Sequence, residues 1–314
     1  MTRALALDVG GTKLAAAWVD DSGAVTGRRE VPTDPTGANR GDELWQTVRT
    51  LLDDVVGGQS PTAVGVGCGG PMLWPAGVVS PINLPAWRDF PLRARLLERF
   101  PDATVRIHND AVAMLAGEHW QGAARGTDAA LGVVVSTGVG GGVLLGGRIV
   151  NGASGNAGHL GHLVVEPDGP VCGCGARGCL EAVARGPAVV GWAKQHGWSP
   201  PAGATADGKA LAESARAGDQ VARAAFARAG DALGIALAGA TSLLELEVAV
   251  IGGGLAGAGD LLLGPARESF RRHARLDFAR RCGIVPAENG AEAGLIGAAA
   301  LVLAGKTYWE HGAD

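Results

Sequence analysis

Short apolar, strand-like runs in this sequence end in glycine clusters, and three of these turns share one logic. Ala4 to Val9 leads into Asp8-Val-Gly-Gly-Thr12, Leu131 to Ser136 into Ser136-Thr-Gly-Val-Gly140, and Val248 to Ile251 into Gly252-Gly-Gly254. Runs of this length, bounded by turn signals, read as buried strands. After the first two clusters a second strand follows, at Leu14 to Val19 and at Gly142 to Leu145, so each half opens with strand, glycine turn and strand. Glycine lets backbone N–H groups converge and lets a bulky anion approach closely. Thr12 and Thr137 can add hydroxyl donors. Each turn taken alone is equally well a plain hairpin bend.

Between these runs the period changes. Glu43 to Val56 places Leu44, Val48, Leu51, Leu52 and Val55 on one helical face. Leu92 to Phe100, Ala111 to Trp120, Ala188 to His196, Ala210 to Ala217, Gln220 to Leu244 and Ala291 to Leu303 also read as helices. Ala63 to Val66 and Val105 to Ile107 read as strands, Asn151 to Gly186 as irregular and Pro200 to Asp207 as a polar loop. Strands alternating with helices predict an α/β protein.

Composition narrows the function. Of 314 residues, 47% are apolar and 18% charged, which disfavours disorder. A net charge of −4 disfavours a general nucleic-acid binder. The uncharged stretch from Ala129 to Gly147 reads as two strands around a glycine loop and not as a membrane helix. With no signal-peptide pattern at the start, the expectation is a soluble, cytoplasmic protein. There is no GxxxxGK[ST] phosphate loop. Asp8-Val-Gly-Gly is followed by a strand, not a helix, so it does not fit the dinucleotide fingerprint.

Two constellations carry chemistry. His162, Cys172, Cys174 and Cys179 give H-x9-C-x-C-x4-C. Three thiolates and one imidazole suit a closed, structural tetrahedral zinc site, and clustered cysteines without a secretory signal favour metal over disulfide. The alternative is three reduced thiols beside an unrelated histidine. Cys68 and Cys282 stand apart and read as buried fillers. Asn109-Asp110 follows a strand and opens a helix. A carboxylate there lies near the positive helix end, is expected to stay ionised, and can accept a proton from a hydroxyl. The same pattern also describes an ordinary helix cap.

Taken together, Asp8-Val-Gly-Gly-Thr-Lys13, Thr137-Gly-Val-Gly140 and Val250-Ile-Gly-Gly-Gly254 resemble the two phosphate loops and the adenosine loop of the sugar kinase/actin/Hsp70 superfamily. Gly161-His162, Cys172-Gly-Cys174 and Gly178-Cys179-Leu-Glu181 narrow the resemblance to the ROK family, over nearly the whole chain. The resemblance implies two ribonuclease-H-like domains around a cleft, with a zinc-bound loop. The expected division is a first domain at 1–118, a larger second domain at 119–290, and a C-terminal helix at 291–314 that returns to the first. It also implies an ATP- and magnesium-dependent kinase for the 6-hydroxyl of a sugar, with structural zinc, in a homodimer that binds neither nucleic acid nor membrane.

Matched residue by residue, Asp110 becomes the catalytic base and Asn109 orients the sugar. Gly69, Gly70, Asn83, His159, His162 and Glu181 are the remaining sugar contacts. Asp8, Gly10, Gly11, Thr12, Lys13, Thr137, Gly138, Gly140, Gly252, Gly253 and Gly254 hold ATP, with Asp8 nearest magnesium. ROK repressors carry a helix-turn-helix ahead of the first loop; with the loop starting at Asp8 in this sequence, the expectation is a kinase and not a repressor.

One position departs from the family. Most ROK kinases have Glu-x-x-Gly-His where this chain has His159-Leu-Gly-His162. A carboxylate only accepts hydrogen bonds, whereas neutral imidazole also donates one, which suits an acetamido carbonyl at C2. His159-Leu-Gly-His162 with Pro170-Val-Cys-Gly-Cys174 resembles N-acetylmannosamine kinases. Asn83-Leu-Pro-Ala-Trp-Arg-Asp89 resembles the family's glucokinases. N-acetylmannosamine is the first expectation and glucose the second.

Overall fold

The computed structural model describes residues 2–33 and 41–309. Met1 and 34–40 of the expected first domain, and 310–314 of the expected C-terminal segment, lie outside the described residues. The chain runs β1 (Arg3–Val9), β2 (Lys13–Asp20), β3 (Val25–Pro32), α1 (Gly41–Val56), β4 (Ala63–Cys68), β5 (Met72–Leu73), β6 (Val78–Val79), α2 (Leu92–Arg99), β7 (Thr104–Asn109) and α3 (Asp110–Gln121). It continues with β8 (Ala129–Val135), β9 (Val139–Leu145), β10 (Arg148–Ile149), α4 (Leu180–Ala184), α5 (Gly186–Gln195), α6 (Gly208–Arg216) and α7 (Gln220–Leu244). β11 (Val248–Gly252), α8 (Asp260–His273), β12 (Gly283–Pro286), α9 (Ala293–Leu303) and α10 (Gly305–Tyr308) complete it.

Two five-stranded sheets share one order. The first is β3-β2-β1-β4-β7 and the second β10-β9-β8-β11-β12. In the first, β1 and β2 are antiparallel while β1, β4 and β7 are parallel. In the second, β8, β11 and β12 are parallel and β9 and β10 antiparallel. The uncharged stretch from Ala129 is therefore two strands. No helix among the described residues is long and apolar enough to cross a membrane. The chain divides into unit 1 (residues 1–128, 142–158 and 287–314) and unit 2 (residues 129–141 and 159–286).

In unit 1 the alternation along β1 builds two unlike layers. Leu5, Leu7 and Val9 face the α1 side, where Leu44, Val48, Leu51 and Leu52 are buried with them. Ala4 and Ala6 face the other way, together with Ala15, Ala17, Leu295, Ala298 and Ala299. Small residues on that face let α9 lie close on the sheet. A β-carbon on Gly65 would sit 1.8 Å from the Ala298 carbonyl oxygen, and one on Gly297 2.2 Å from that of Ala113. Larger side chains at these glycines would force the layers apart.

The sequence pattern misses β3, α8 and β12, as well as the short elements β5, β6, β10, α10 and α4, the last lying inside the segment read as irregular. β3 is an edge strand, mostly exposed, reading Val-Thr-Gly-Arg-Arg-Glu-Val-Pro, so it lacks an apolar run. α8 carries Gly264 and Pro265 inside it. Pro265 removes one backbone donor, and packing against α7 compensates: Gly230 and Gly234 let the α8 backbone approach closely. β12 spans four residues, too short to show a period. Several strands also run further than the pattern implies, β9 among them, which starts at Val139. β4 extends through Gly67 and Cys68, and β7 through His108 and Asn109.

Candidate functional site

The first cluster of expected site residues gathers at the carboxyl ends of the parallel strands of unit 1, the usual place for ligands in such sheets. Register places Asp8 of β1 opposite Gly67 of β4, and Gly67 opposite His108 of β7. Asp110 begins α3 just beyond. Gly67 leaves room between the two acids: a β-carbon there would lie 3.7 Å from Asp110 Cα and 3.9 Å from Asp8 Oδ1. On the other side, Gly294 at the start of α9 packs directly on the Asp8 carboxyl.

Asn109 caps α3, its Oδ1 accepting the Ala111 N–H at 3.0 Å, and Asp110 Oδ1 accepts the same N–H at 2.9 Å. Burial pushes the Asp110 carboxyl above its ordinary range. The backbone N–H donors at the helix end act in the opposite direction, but desolvation is the larger influence. Burial, and then the charge of Asp110, raise Asp8 to about 7, against opposing effects of Lys13 and Arg28. Two enclosed carboxyls, each with its proton affinity raised by burial, suit a divalent cation, which would neutralise both.

The first glycine turn closes with Gly10 N–H donating to the Lys13 carbonyl at 3.0 Å. Thr33 clamps it, its N–H on the Thr12 carbonyl and its hydroxyl on the Gly10 carbonyl, both at 3.0 Å. The pattern gave no hint of Thr33, which acts only through the folded turn. Gly11 and Gly69 both make room for one side chain. Their β-carbons would meet Asn83 Nδ2 at 2.7 Å and Asn83 Oδ1 at 3.0 Å respectively. Asn83 is itself exposed, and the Ile82 N–H beside it binds the Gly70 carbonyl. Lys13 pairs with Glu30 at 3.1 Å on the exposed side of β2 and β3.

The second cluster belongs to unit 2. Ser136 N–H donates to the Gly138 carbonyl, which folds the turn that carries exposed Thr137 and leads to Gly140 in β9. Gly253 has φ +93° and sits against Val135, where a β-carbon would be 2.5 Å from its carbonyl oxygen. Only glycine meets both demands. Gly252 ends β11, and Gly254 faces the Ser136 hydroxyl. Thr137 and Gly254 line a cavity of about 730 Å³ together with Pro187, Lys194, Lys209 and Leu255. The last four are not among the expected residues. One signal was present: Lys194 and Lys209 are the only lysines between Lys13 and Lys306, in a chain with 23 arginines.

The His and Cys cluster forms as its spacing suggests. The ligand atoms of His162, Cys172, Cys174 and Cys179 all lie within 4.8 Å of one another. A tetrahedral zinc with sulfur at about 2.3 Å and nitrogen at about 2.0 Å separates ligand atoms by about 3.5–3.8 Å. Cys172 Sγ is 3.7 Å from His162 Nδ1, and Cys174 Sγ is 3.8 Å from Cys179 Sγ. The donor set and its spacing fit zinc. Cys68 and Cys282 are buried apart from it.

Two further residues join this region. The His159 ring lies 6.1 Å from that of His162 at 19°, and burial lowers its pKa. A β-carbon on Gly161 would fall 2.0 Å from the Val139 carbonyl oxygen, so the His159–His162 turn is pressed against the start of β9. Glu181 Oε2 accepts the Val139 N–H at 2.9 Å, which ties the residue expected at the sugar to the second glycine turn.

The ROK family model matches residues 4–305. A glucokinase of Thermotoga maritima is 35% identical over 312 residues, covering 95% of this chain and 96% of that protein. An N-acetylmannosamine kinase of Yersinia pseudotuberculosis is 33% identical over 299 residues, covering 95% and 98%. The crystal structure of a ROK family glucokinase from Streptomyces griseus, in complex with glucose and AMPPNP, superimposes with a TM-score of 0.84 at 33% identity, covering 96% and 99%. A match across nearly the whole chain, on top of the paired acids, the glycine turns and the His and Cys cluster, makes this chain a member of the ROK family.

Proposed function

We propose that this chain is an ATP-dependent sugar kinase that phosphorylates the 6-hydroxyl of a hexose or N-acetylhexosamine. The observation that carries the reading is the Asn109-Asp110 pair at the carboxyl end of β7, facing Asp8 in the first glycine turn. The shared strand order of the two sheets supports reading both units as ribonuclease-H-like, as in actin-like ATPases.

Asp110 accepts the proton of the 6-hydroxyl while that oxygen attacks the γ-phosphorus of ATP. The bond to the β,γ-bridging oxygen breaks, and ADP leaves with that electron pair. The raised proton affinity of Asp110 suits a base that must hold a proton after the attack. Asn109, Asn83 and the backbone at Gly69 and Gly70 orient the sugar. The turns at Gly10–Lys13 and Thr137–Gly140 receive the phosphates, and the cavity bordered by Gly254, at the end of the Gly252–Gly254 turn, receives the nucleoside. Magnesium beside Asp8 would supply positive charge to the phosphates, and phosphoryl transfer depends chiefly on such neutralisation and on positioning. Zinc on His162, Cys172, Cys174 and Cys179 would be structural, because four protein ligands leave no open position.

N-acetylmannosamine is the first substrate reading, carried by His159 beside His162 in place of the usual Glu. Glucose is the second, favoured by the segment Asn83–Asp89 and by the similarity to glucokinases. The test is ADP release with ATP and magnesium against N-acetylmannosamine, glucose, N-acetylglucosamine, mannose and fructose, compared by kcat/KM. A lead for N-acetylmannosamine supports the first reading and a lead for glucose the second. No turnover with any sugar overturns the kinase reading. A homodimer and a cytoplasmic location belong to the same proposal, and sedimentation and cell fractionation test them.

A further inference from the structure

Beside the catalytic pair of unit 1 lies a buried polar chain that the mechanism above does not use. His108, 1% exposed, precedes Asn109 at the end of β7. Its Nδ1 accepts the Asn109 backbone N–H at 2.8 Å, and its Nε2 lies 2.9 Å from Asn151 Oδ1. Trp309, past α10, donates its indole N–H to the same Asn151 oxygen at 3.2 Å. The ring planes of His108 and Trp309 are within 9° of parallel, with centroids 6.3 Å apart. Trp74 stacks on Trp309 from a centroid distance of 6.1 Å, and the Arg106 guanidinium sits 5.3 Å from the Trp309 ring centroid.

Donor logic fixes every group in this chain. A backbone N–H can only donate, so His108 Nδ1 must be the bare nitrogen and Nε2 must carry the hydrogen. The indole can also only donate. Asn151 therefore has to present its oxygen to both, which settles the amide orientation on chemistry alone. The ring must be neutral, and burial favours that state by lowering the His108 pKa to about 4. The path runs from Trp309 through Asn151 and His108 to the backbone of Asn109. The side chain of Asn109 caps the helix that starts with Asp110.

We propose that His108, Asn151 and Trp309 are positioning residues for the Asn109–Asp110 pair, so that the C-terminal segment helps set the rate of phosphoryl transfer. The inference rests on the kinase reading. A base must sit within about 0.3 Å of its working place to hold a hydrogen bond of about 2.6–3.2 Å to the reacting hydroxyl. Small displacements are costly, up to about 100-fold for 1 Å. A buried chain of neutral donors and acceptors holds such a position without adding charge beside Asp8 and Asp110.

The test uses His108→Gln, His108→Asn and Trp309→Phe in the full chain, with kcat, both KM values and Tm. Trp309→Phe keeps the ring and loses the donor. Gln at 108 keeps a donor toward Asn151 but loses the acceptor for Asn109, whereas Asn keeps an acceptor near the Nδ1 position. His108→Gln is expected to lower kcat about tenfold, with the KM for ATP within about twofold. Asn is expected to recover part of that loss, and Trp309→Phe to lower kcat about threefold. The His108→Gln/Trp309→Phe double variant should be no slower than His108→Gln alone, because one chain is broken only once. Unchanged kcat with a lowered Tm would reduce the chain to a purely structural role and overturn the proposal, as would multiplicative losses in the double variant. Should the His108 variants fail to fold, Trp309→Phe decides alone. A wild-type chain that phosphorylates no sugar overturns the kinase reading and this inference with it; an active wild type beside unaffected variants overturns this inference only.

Discussion

Glu181 Oε2 accepts the Val139 N–H at 2.9 Å, two residues after Cys179 contributes a thiol to the His and Cys cluster. Cys179 caps α4 and Glu181 lies in its first turn, so the cluster and the second glycine turn are joined by one helical turn and one hydrogen bond. Gly138 permits the approach: a β-carbon there would be 2.7 Å from the Glu181 carboxylate. Removing the acceptor strands the N–H of Val139, a buried residue, which costs about 1–3 kcal/mol. Glu181→Ala is expected to raise the KM for ATP roughly 5- to 150-fold, in line with that range. Steady-state kinetics with ATP and sugar varied separately read the effect. A change confined to the KM for sugar would instead make Glu181 a sugar contact only.

Metal removal should act along the same path. Metal analysis of the purified protein is expected to find about one zinc per chain, as four protein ligands imply. Chelation is expected to lower Tm and to raise the KM for ATP, because the loop bearing Cys172 and Cys174 loses its fastening to Cys179. In Glu181→Ala chelation should no longer move the KM for ATP, since the connection is already cut. Protein that carries no metal yet keeps full stability would reduce the cluster to three reduced thiols beside a histidine.

How far the sequence is legible follows from what each signal needs. Asp8, Asn109 and Asp110 are readable because each stands at a strand end, where an apolar run stops at a polar residue. The four members of the His and Cys cluster are readable because three thiols and a histidine within 18 residues have few other uses. Thr33, Lys194 and Lys209 carry no such local mark. Thr33 matters because β3 returns to the turn, and the two lysines because α5 and α6 both border one cavity. The Glu181 contact with Val139 spans 42 positions, and only the fold brings the two together. The same limit hides β3 and α8, whose patterns are too polar or too interrupted to reveal a buried face.

The two acids predict a pH dependence with a definite sign. Asp8 binds its proton more tightly in the folded chain, with its pKa raised to about 7 from an ordinary value of 3.8. Its contribution to the stability of the metal-free protein is therefore complete below about pH 4 and is lost as pH rises through about 7. Thermal melts of metal-free wild type and Asp8→Asn across pH 4–8 are expected to differ by this slope, the wild type losing stability relative to the variant as pH rises. Magnesium favours the ionised acid, so its apparent affinity should weaken as pH falls below 7. Asp110 has its pKa raised by burial as well, so kcat/KM should rise with pH while it ionises. Asp110→Asn should lower kcat by about 100- to 10,000-fold while ATP and sugar still bind by calorimetry. A variant that keeps more than a tenth of the wild-type rate would take the base role away from Asp110.

The last prediction concerns what the site selects. His159 lies within the turn that carries His162 and is pressed against the start of β9. Burial lowers its pKa below the ordinary 6.5, so at neutral pH the ring offers one N–H and one bare nitrogen. An acetamido group presents a carbonyl to that N–H, and a carboxylate in the same place would face the carbonyl with like partial charge. A ring hydroxyl pairs with either residue. Exchanging His159 for Glu should therefore leave glucose nearly unaffected or improved and penalise N-acetylmannosamine. One neutral hydrogen bond is worth about 0.5–1.5 kcal/mol, and a repulsive replacement adds to that loss. His159→Glu is accordingly expected to move the ratio of kcat/KM for N-acetylmannosamine over glucose by at least about tenfold toward glucose. The comparison uses both sugars with one enzyme preparation, so differences in active fraction cancel. An unmoved ratio would mean that His159 fills space beside His162 without reading the substituent at C2, and the choice of sugar would then rest with Asn83 and the segment that carries it.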